Sequence, residues 1–150
     1  MKNVPLPQRC FICKTPFQKA HGFYRGLCGS CGDLSWAKRN DKADLSGRVA
    51  LVTGARMGIG QATALRLLRN GATVLATTRF PKSAAQSFAQ EADFNRWSSR
   101  LQIRVLDLKH LVATETFALQ LSQELERLDI LINNAAQTVR RAPDFIRAFS

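Results

Sequence analysis

Two groups of residues in this 150-residue chain combine types and spacings that could do chemistry. The first is Thr53-Gly54-Ala55-Arg56-Met57-Gly58-Ile59-Gly60, set between an apolar run, Val49-Ala50-Leu51-Val52-Thr53, and an amphipathic stretch that begins at Gln61. At a strand-to-helix junction, glycines at 54, 58 and 60 let the backbone turn tightly, approach a diphosphate closely and seat the helix against the strand. The helix N-terminus beyond them offers unpaired N–H groups and the positive end of the helix dipole to the phosphates. The second group is Cys10-x2-Cys13 and Cys28-x2-Cys31, which hold all four cysteines with fourteen residues between the pairs. Two such turns can aim four thiolates at one point and complete a tetrahedral Zn²⁺ shell. Four protein sulfurs leave no open coordination position, so the expected role is structural.

Two disulfides or four free thiols are the alternatives for the cysteines; a cytosolic setting weighs against the first and the clustering against the second. His21 reads as a surface or packing residue, not a ligand. So short a segment buries little, and metal binding, worth roughly 10–16 kcal/mol in zinc-finger peptides, is expected to decide whether it folds. Phe11, Phe17, Phe23, Tyr24 and Leu27 are the expected apolar cluster around the metal. The same aromatics, interleaved with Lys14, Lys19 and Arg25, also fit a platform for single-stranded nucleic acid, the weaker of the two readings.

The elements that position these residues follow from pattern. Residues 1–45 form the cysteine module and a connector that begins as a short helix after Cys31; residues 46–150 form a second domain. There Val49 to Thr53 reads as a strand buried on both faces. A helix runs from about Ile59 to Asn70, packing through Ile59, Ala62, Thr63, Leu65, Leu67 and Leu68 and ending at Asn70-Gly71. The second strand is Thr73 to Thr77, followed by a helix over 82–97. The third strand runs from Leu101 to Leu106 and ends at Asp107. A helix over 110–128 carries Leu111, Phe117, Leu121, Leu125 and Leu128 on one face. The fourth strand, Ile130 to Ile132, leads into Asn133-Asn134-Ala135-Ala136. Strands alternating with helices predict the α/β class and a partial doubly wound parallel sheet with strand order 3-2-1-4.

Thr78-Arg79 falls just past the carboxyl end of the second strand, where the ribose of a dinucleotide would sit. An NAD-preferring site usually carries an acid there; a cation suits a 2′-phosphate, so NADP is expected ahead of NAD. The alternative for Arg79 is a solvated loop cation.

These residues resemble a known family. Thr53-Gly54-x3-Gly58-x-Gly60, Asp107-Leu108 and Asn133-Asn134-Ala135-Ala136 are similar to the TGxxxGxG, D[VL] and NNAG signatures of the short-chain dehydrogenases/reductases, in matching spacing and strand context over residues 46–136. The resemblance implies that Asp107 and Leu108 meet the adenine, that Asn133 and Ala135 stabilise the sheet and line the nicotinamide-ribose side, and that residues 54 to 60 hold the diphosphate. Ala136 departs from the final glycine, and the cysteine module lies outside the common family fold. The resemblance further implies a catalytic tyrosine, a lysine four residues later and a serine. The only tyrosine is Tyr24, whose i+4 residue is Cys28, so no catalytic residue is assigned.

A complete family member would need roughly another hundred residues after Ser150. Two explanations compete: the N-terminal part of a longer reductase, which is favoured, or a short protein that kept nucleotide binding and lost catalysis. The second leaves the fourth strand as an apolar edge and predicts homo-oligomers or aggregation.

The net charge of +11 is diffuse: residues 1–45 hold eight Lys/Arg against three acids, and residues 46–150 hold fourteen against eight. It favours anionic ligands in general, and without a dense basic block it weighs against specific nucleic-acid binding. Arg140-Arg141 near the site rim reads first as a solvated loop and second as a contact for an acidic substrate or the cofactor phosphates. No apolar run approaches the roughly 20 residues of a membrane span and no signal-peptide core precedes the module, so a cytoplasmic protein is expected. The leading function is hydride transfer between NADP(H) and a carbonyl or alcohol substrate in a full-length form. Its alternatives are a non-catalytic dinucleotide sensor or scaffold whose zinc module binds a protein partner, and a zinc-ribbon nucleic-acid binder.

Overall fold

The computed structural model describes residues 8–135. Ala136, Arg140 and Arg141 lie outside the described residues. The chain divides between Ala43 and Asp44 into two compact units.

In the first unit, β1 (Gln8–Arg9) and β2 (Pro16–Phe17) form an antiparallel ribbon, with Gln8 opposite Phe17 and Arg9 opposite Pro16. Cys10 and Cys13 occupy the turn between them, closed by Cys10 N–H donating to Thr15 O at 3.0 Å and Lys14 N–H to Cys10 O at 2.9 Å. Helix α1 (Gly29–Asn40) begins directly after Cys28, its extended N-cap. The apolar cluster is smaller than the sequence implies. Leu27 is buried and Phe17 and Tyr24 are half-buried, but Phe11 and Phe23 are exposed, because a unit this small has too little chain to cover five large side chains.

The second unit is a four-stranded sheet of β3 (Val49–Thr53), β4 (Thr73–Thr78), β5 (Leu101–Val105) and β6 (Ile130–Ile132). All pairs are parallel and the order is β5-β4-β3-β6, the 3-2-1-4 order expected of the domain's own strands. Helices α2 (Gly58–Arg69), α3 (Pro81–Ala89) and α4 (Leu111–Glu124) are the crossovers. Successive residues of a strand point to opposite faces. Ala50, Val52, Val74 and Ala76 therefore pack with Ala64, Leu65 and Leu68 of α2 and Phe88 of α3, while Leu51 and Leu75 pack on the other face with Phe117 and Leu121 of α4. Helices on both faces are the doubly wound arrangement. Among the described residues, no helix is long and apolar enough to cross a membrane.

Three expectations of helical packing need correction. The helix over 82–97 ends at Ala89 and gives way to two 3₁₀ turns, Phe94–Arg96 and Ser98–Arg100. Tertiary contacts override the local pattern there. Arg69 on α2 bonds Glu91 at 2.9 Å and Asp93 at 2.7 Å, and Trp97 turns inward to only 1% exposure, edge-on to Phe88 and Phe94. The helix over 110–128 stops at Glu124, because Asp129 is drawn back onto the start of β3, and Leu111 and Leu128 are both exposed. On α2, Ile59 is 80% exposed and Ala62 is also exposed; the packed face is Gly60, Ala64, Leu65 and Leu68.

Candidate dinucleotide site and cysteine cluster

Because the four strands run parallel, the segments that leave their carboxyl ends collect along one edge of the sheet, the place where ligands bind in open α/β sheets. Four of those segments carry the candidate residues: Gly54 to Gly60 after β3, Thr78-Arg79 at the end of β4, Asp107-Leu108 after β5, and Asn133 to Ala135 after β6.

The turn after β3 is built on glycine for two separate reasons. Gly54 and Gly58 have φ of +66° and +61°, the left-handed region that side chains resist. Gly60 is held by proximity: a Cβ there would lie 2.5 Å from the Gly54 carbonyl oxygen and 2.5 Å from the Asn134 amide nitrogen. A Cβ on Gly58 would meet nothing within 4 Å, so the turn is open on that side. Met57 caps α2 with extended backbone and no side-chain hydrogen bond to the helix N-terminus; its sulfur instead accepts from Arg56 Nη2 at 2.9 Å. The first-turn N–H groups, which no helix satisfies internally, are left for an external acceptor, with the helix dipole behind them. Met57 and Ile59 flank them as exposed apolar side chains.

Thr53 ties this turn to the end of β6. It is 5% exposed; its hydroxyl accepts the N–H groups of Asn134 and Ala135 at 3.0 Å each and donates to Ile132 O at 3.3 Å. The Asn134 side-chain amide donates in turn to Thr53 O at 3.0 Å and Gly54 O at 3.3 Å. The sheet-stabilising contacts that the resemblance implies for Asn133 are thus made by its neighbour Asn134, while Asn133 is exposed. Alternation explains the difference: one step along an extended chain reverses the side chain. Ala135 does border the turn, since a Cβ on Gly54 would lie 3.1 Å from it.

At the end of β4, Thr78 is buried and its hydroxyl accepts the Phe80 N–H at 3.1 Å, whereas Arg79 is exposed. The guanidinium groups of Arg79 and of Arg56, from the glycine turn, stand over the Phe80 ring at 5.4 and 5.3 Å from its centroid. Phe80 carried no signal in the sequence beyond its place before Pro81. After β5, Leu106 N–H donates to Thr78 O at 3.0 Å, and the Asp107 carboxylate accepts the Lys109 N–H at 3.1 Å, which fixes the turn. Leu108 beside it is exposed.

In the first unit the four cysteine sulfurs all lie within 4.8 Å of one another, and Cys13 and Cys28 are 3.8 Å apart. A sulfur tetrahedron about 2.3 Å from a zinc ion has edges of about 3.8 Å, whereas a disulfide needs about 2.05 Å. The cysteines are free, and the spacing suits a shared metal. Burial raises the Cys10 thiol, but backbone N–H groups of Cys28, Cys13 and Ile12 outweigh it and bring its pKa down to about 6. Burial and then the three neighbouring sulfurs push Cys31 up to about 12. Four crowded sulfurs cannot all ionise alone, and a divalent cation removes that conflict. The start of α1 beside Cys28 and Cys31 adds a favourable dipole. His21 is engaged elsewhere: its Nδ1 accepts the N–H groups of Phe23 and Tyr24 at 3.1 and 3.0 Å, and its Nε2 lies 3.5 Å from Asp33.

A parallel doubly wound sheet with a glycine turn after its first strand defines an α/β dinucleotide-binding domain. Comparison makes the class specific. The short chain dehydrogenase family model matches residues 48–147, and the chain belongs to that family of oxidoreductases. Uncharacterized protein R665 of Acanthamoeba polyphaga mimivirus is 40% identical over 136 residues, covering 87% of this chain and 29% of the viral protein. Human retinol dehydrogenase 13 is 37% identical, covering 68% of this chain and 30% of that protein. Among solved structures, a metagenomic short-chain oxidoreductase in complex with NADP is 36% identical with a TM-score of 0.55, covering 63% of this chain and 42% of the other. The Pseudomonas aeruginosa RhlG/NADP complex is 34% identical with a TM-score of 0.55, covering 67% of this chain and 38% of the other.

Proposed function

We propose that the chain supplies the NADP(H)-binding part of a short-chain oxidoreductase acting on a carbonyl or alcohol substrate. The observation that carries this reading is the uncapped N-terminus of α2 behind Gly54, Gly58 and Gly60, next to a β4 end that offers Arg79 and no acid. The N–H groups of residues 58 to 60 are the proposed diphosphate donors, Arg79 and Arg56 the partners of the 2′-phosphate, Asp107 and Leu108 the adenine contacts, and Ala135 part of the nicotinamide-ribose side. When bound, NADP(H) supplies the hydride chemistry; the residues of this chain bind and orient it. The chain contains no Tyr-x3-Lys, so turnover by these 150 residues alone is not expected.

In the same reading Cys10, Cys13, Cys28 and Cys31 hold one structural zinc ion, and four cysteines kept out of disulfides fit a reducing compartment, the cytoplasm. Equilibrium titration of the chain with NADPH and NADH tests the nucleotide claim. NADPH should bind more tightly, Gly58→Asp should lose both ligands, and Arg79→Asp should shift preference toward NADH. Identical saturation by the parent and Gly58→Asp would refute the site.

A further inference from the structure

We propose that Phe80 is a positioning residue that gathers Arg56 and Arg79 into one two-guanidinium receptor, and so sets how strongly a 2′-phosphorylated adenosine is preferred over a plain one. The inference rests on the dinucleotide reading above and deepens it.

Arg56 leaves the β3–α2 turn and Arg79 leaves the end of β4, so nothing in the chain's connectivity holds them together. What they share is the Phe80 ring, with guanidinium carbons 5.3 and 5.4 Å from its centroid. The ring is itself held from behind. Phe80 N–H donates to the Thr78 hydroxyl at 3.1 Å, Phe80 O accepts the Ala84 N–H at 3.1 Å, and Pro81 begins α3 directly after it. A following proline keeps Phe80 out of helical backbone, and its φ of −126° and ψ of 72° agree. Phe80 is 52% exposed, so its ring is not spent on the core.

Among the described residues neither arginine meets a carboxylate, unlike Arg48, Arg69, Arg104 and Arg127. Their charge is left for an anion. A guanidinium over an aromatic face leaves its edge N–H donors pointing outward, the geometry that pairs bidentately with phosphate; Arg56 gives one of them to the Met57 sulfur, a weak acceptor, with Nη2 donating at 2.9 Å. The ring lowers the cost of ordering two long, mobile side chains before the phosphate arrives.

The test is equilibrium titration of the whole chain with NADPH and NADH, and with 2′,5′-ADP and 5′-AMP as minimal probes. Phe80→Leu removes the π face and keeps an apolar side chain. It should weaken NADPH and 2′,5′-ADP about three- to tenfold, the cost of ordering one long side chain that the ring no longer holds, and leave NADH and 5′-AMP unchanged. Phe80→Tyr should restore the parent ratio. In an Arg56→Ala/Arg79→Ala background, Phe80→Leu should have no further effect, a coupling that a packing role would not produce. An unchanged NADPH-to-NADH ratio in Phe80→Leu, or equal weakening of both, overturns the proposal. If the folded parent chain binds neither dinucleotide, the underlying reading falls, and this inference with it.

Discussion

Replacing Thr53 by valine isolates one hydroxyl on which the site edge depends. Valine keeps the shape and removes an oxygen that accepts two backbone N–H groups at 3.0 Å and donates once at 3.3 Å, in a residue 5% exposed. The losses are unequal. Asn134 N–H is shared, since it also reaches Ile132 O at 3.0 Å, and that carbonyl therefore keeps a donor. Ala135 N–H has no second protein acceptor among the described residues, but Ala135 is exposed and water can take the place of the hydroxyl. Losing a hydrogen bond whose donor water can reach costs about 0.5–1.5 kcal/mol, and the extra buried methyl returns part of it, so a net loss of up to about 1 kcal/mol is expected. Thermal unfolding should fall by about 4–8 °C for each kcal/mol. Because Ala135 borders Gly54, NADPH affinity should fall as well. Urea denaturation and thermal melts of the parent, Thr53→Val and Thr53→Ser, the last retaining the hydroxyl, measure this. A valine variant as stable as the parent, with the serine variant weaker than both, would show that the methyl and not the hydroxyl holds the junction.

Gly60→Ala should lower stability by about 1–3 kcal/mol and dinucleotide affinity at least about tenfold, since its Cβ would sit 2.5 Å from a backbone oxygen; an alanine variant that titrates like the parent refutes the close approach. Metal analysis should find one zinc per chain, and chelation should abolish hydrogen-exchange protection across residues 10–31 while β3 to β6 stay protected; a chain that keeps that protection without metal would sink the metal assignment. Acid sensitivity should reside in part at Asp129, whose carboxyl is held well below the usual carboxylate range by Arg127, the Val49 N–H and Arg48. A depressed folded pKa means that this stability is complete above about pH 4 and is lost as pH falls through the folded value. Asp129→Asn should therefore lower the unfolding midpoint at pH 7 and lessen its decline in acid, and parallel pH curves for the two proteins would contradict the assignment.

Family and fold were legible in short-range pattern. Glycines at 54, 58 and 60 between an apolar run and an amphipathic one carry their meaning locally, because positive φ and close backbone approach exclude side chains whatever surrounds them. The order of the four strands was legible too, since short right-handed crossovers leave few topologies to choose from. The cysteine spacing announced a cluster for the same local reason. Contacts between segments distant in sequence were decided only in three dimensions. Arg69 reaching Glu91 and Asp93, with Trp97 turning inward, broke a helix that the periodicity extended to residue 97. Strand alternation gave Asn134, and not Asn133, the bonds to Thr53 and Gly54. The meeting of Arg56 and Arg79 on Phe80 joins two loops that share no motif. Backbone conformation is written residue by residue, but the partner of a side chain depends on where the rest of the chain has gone.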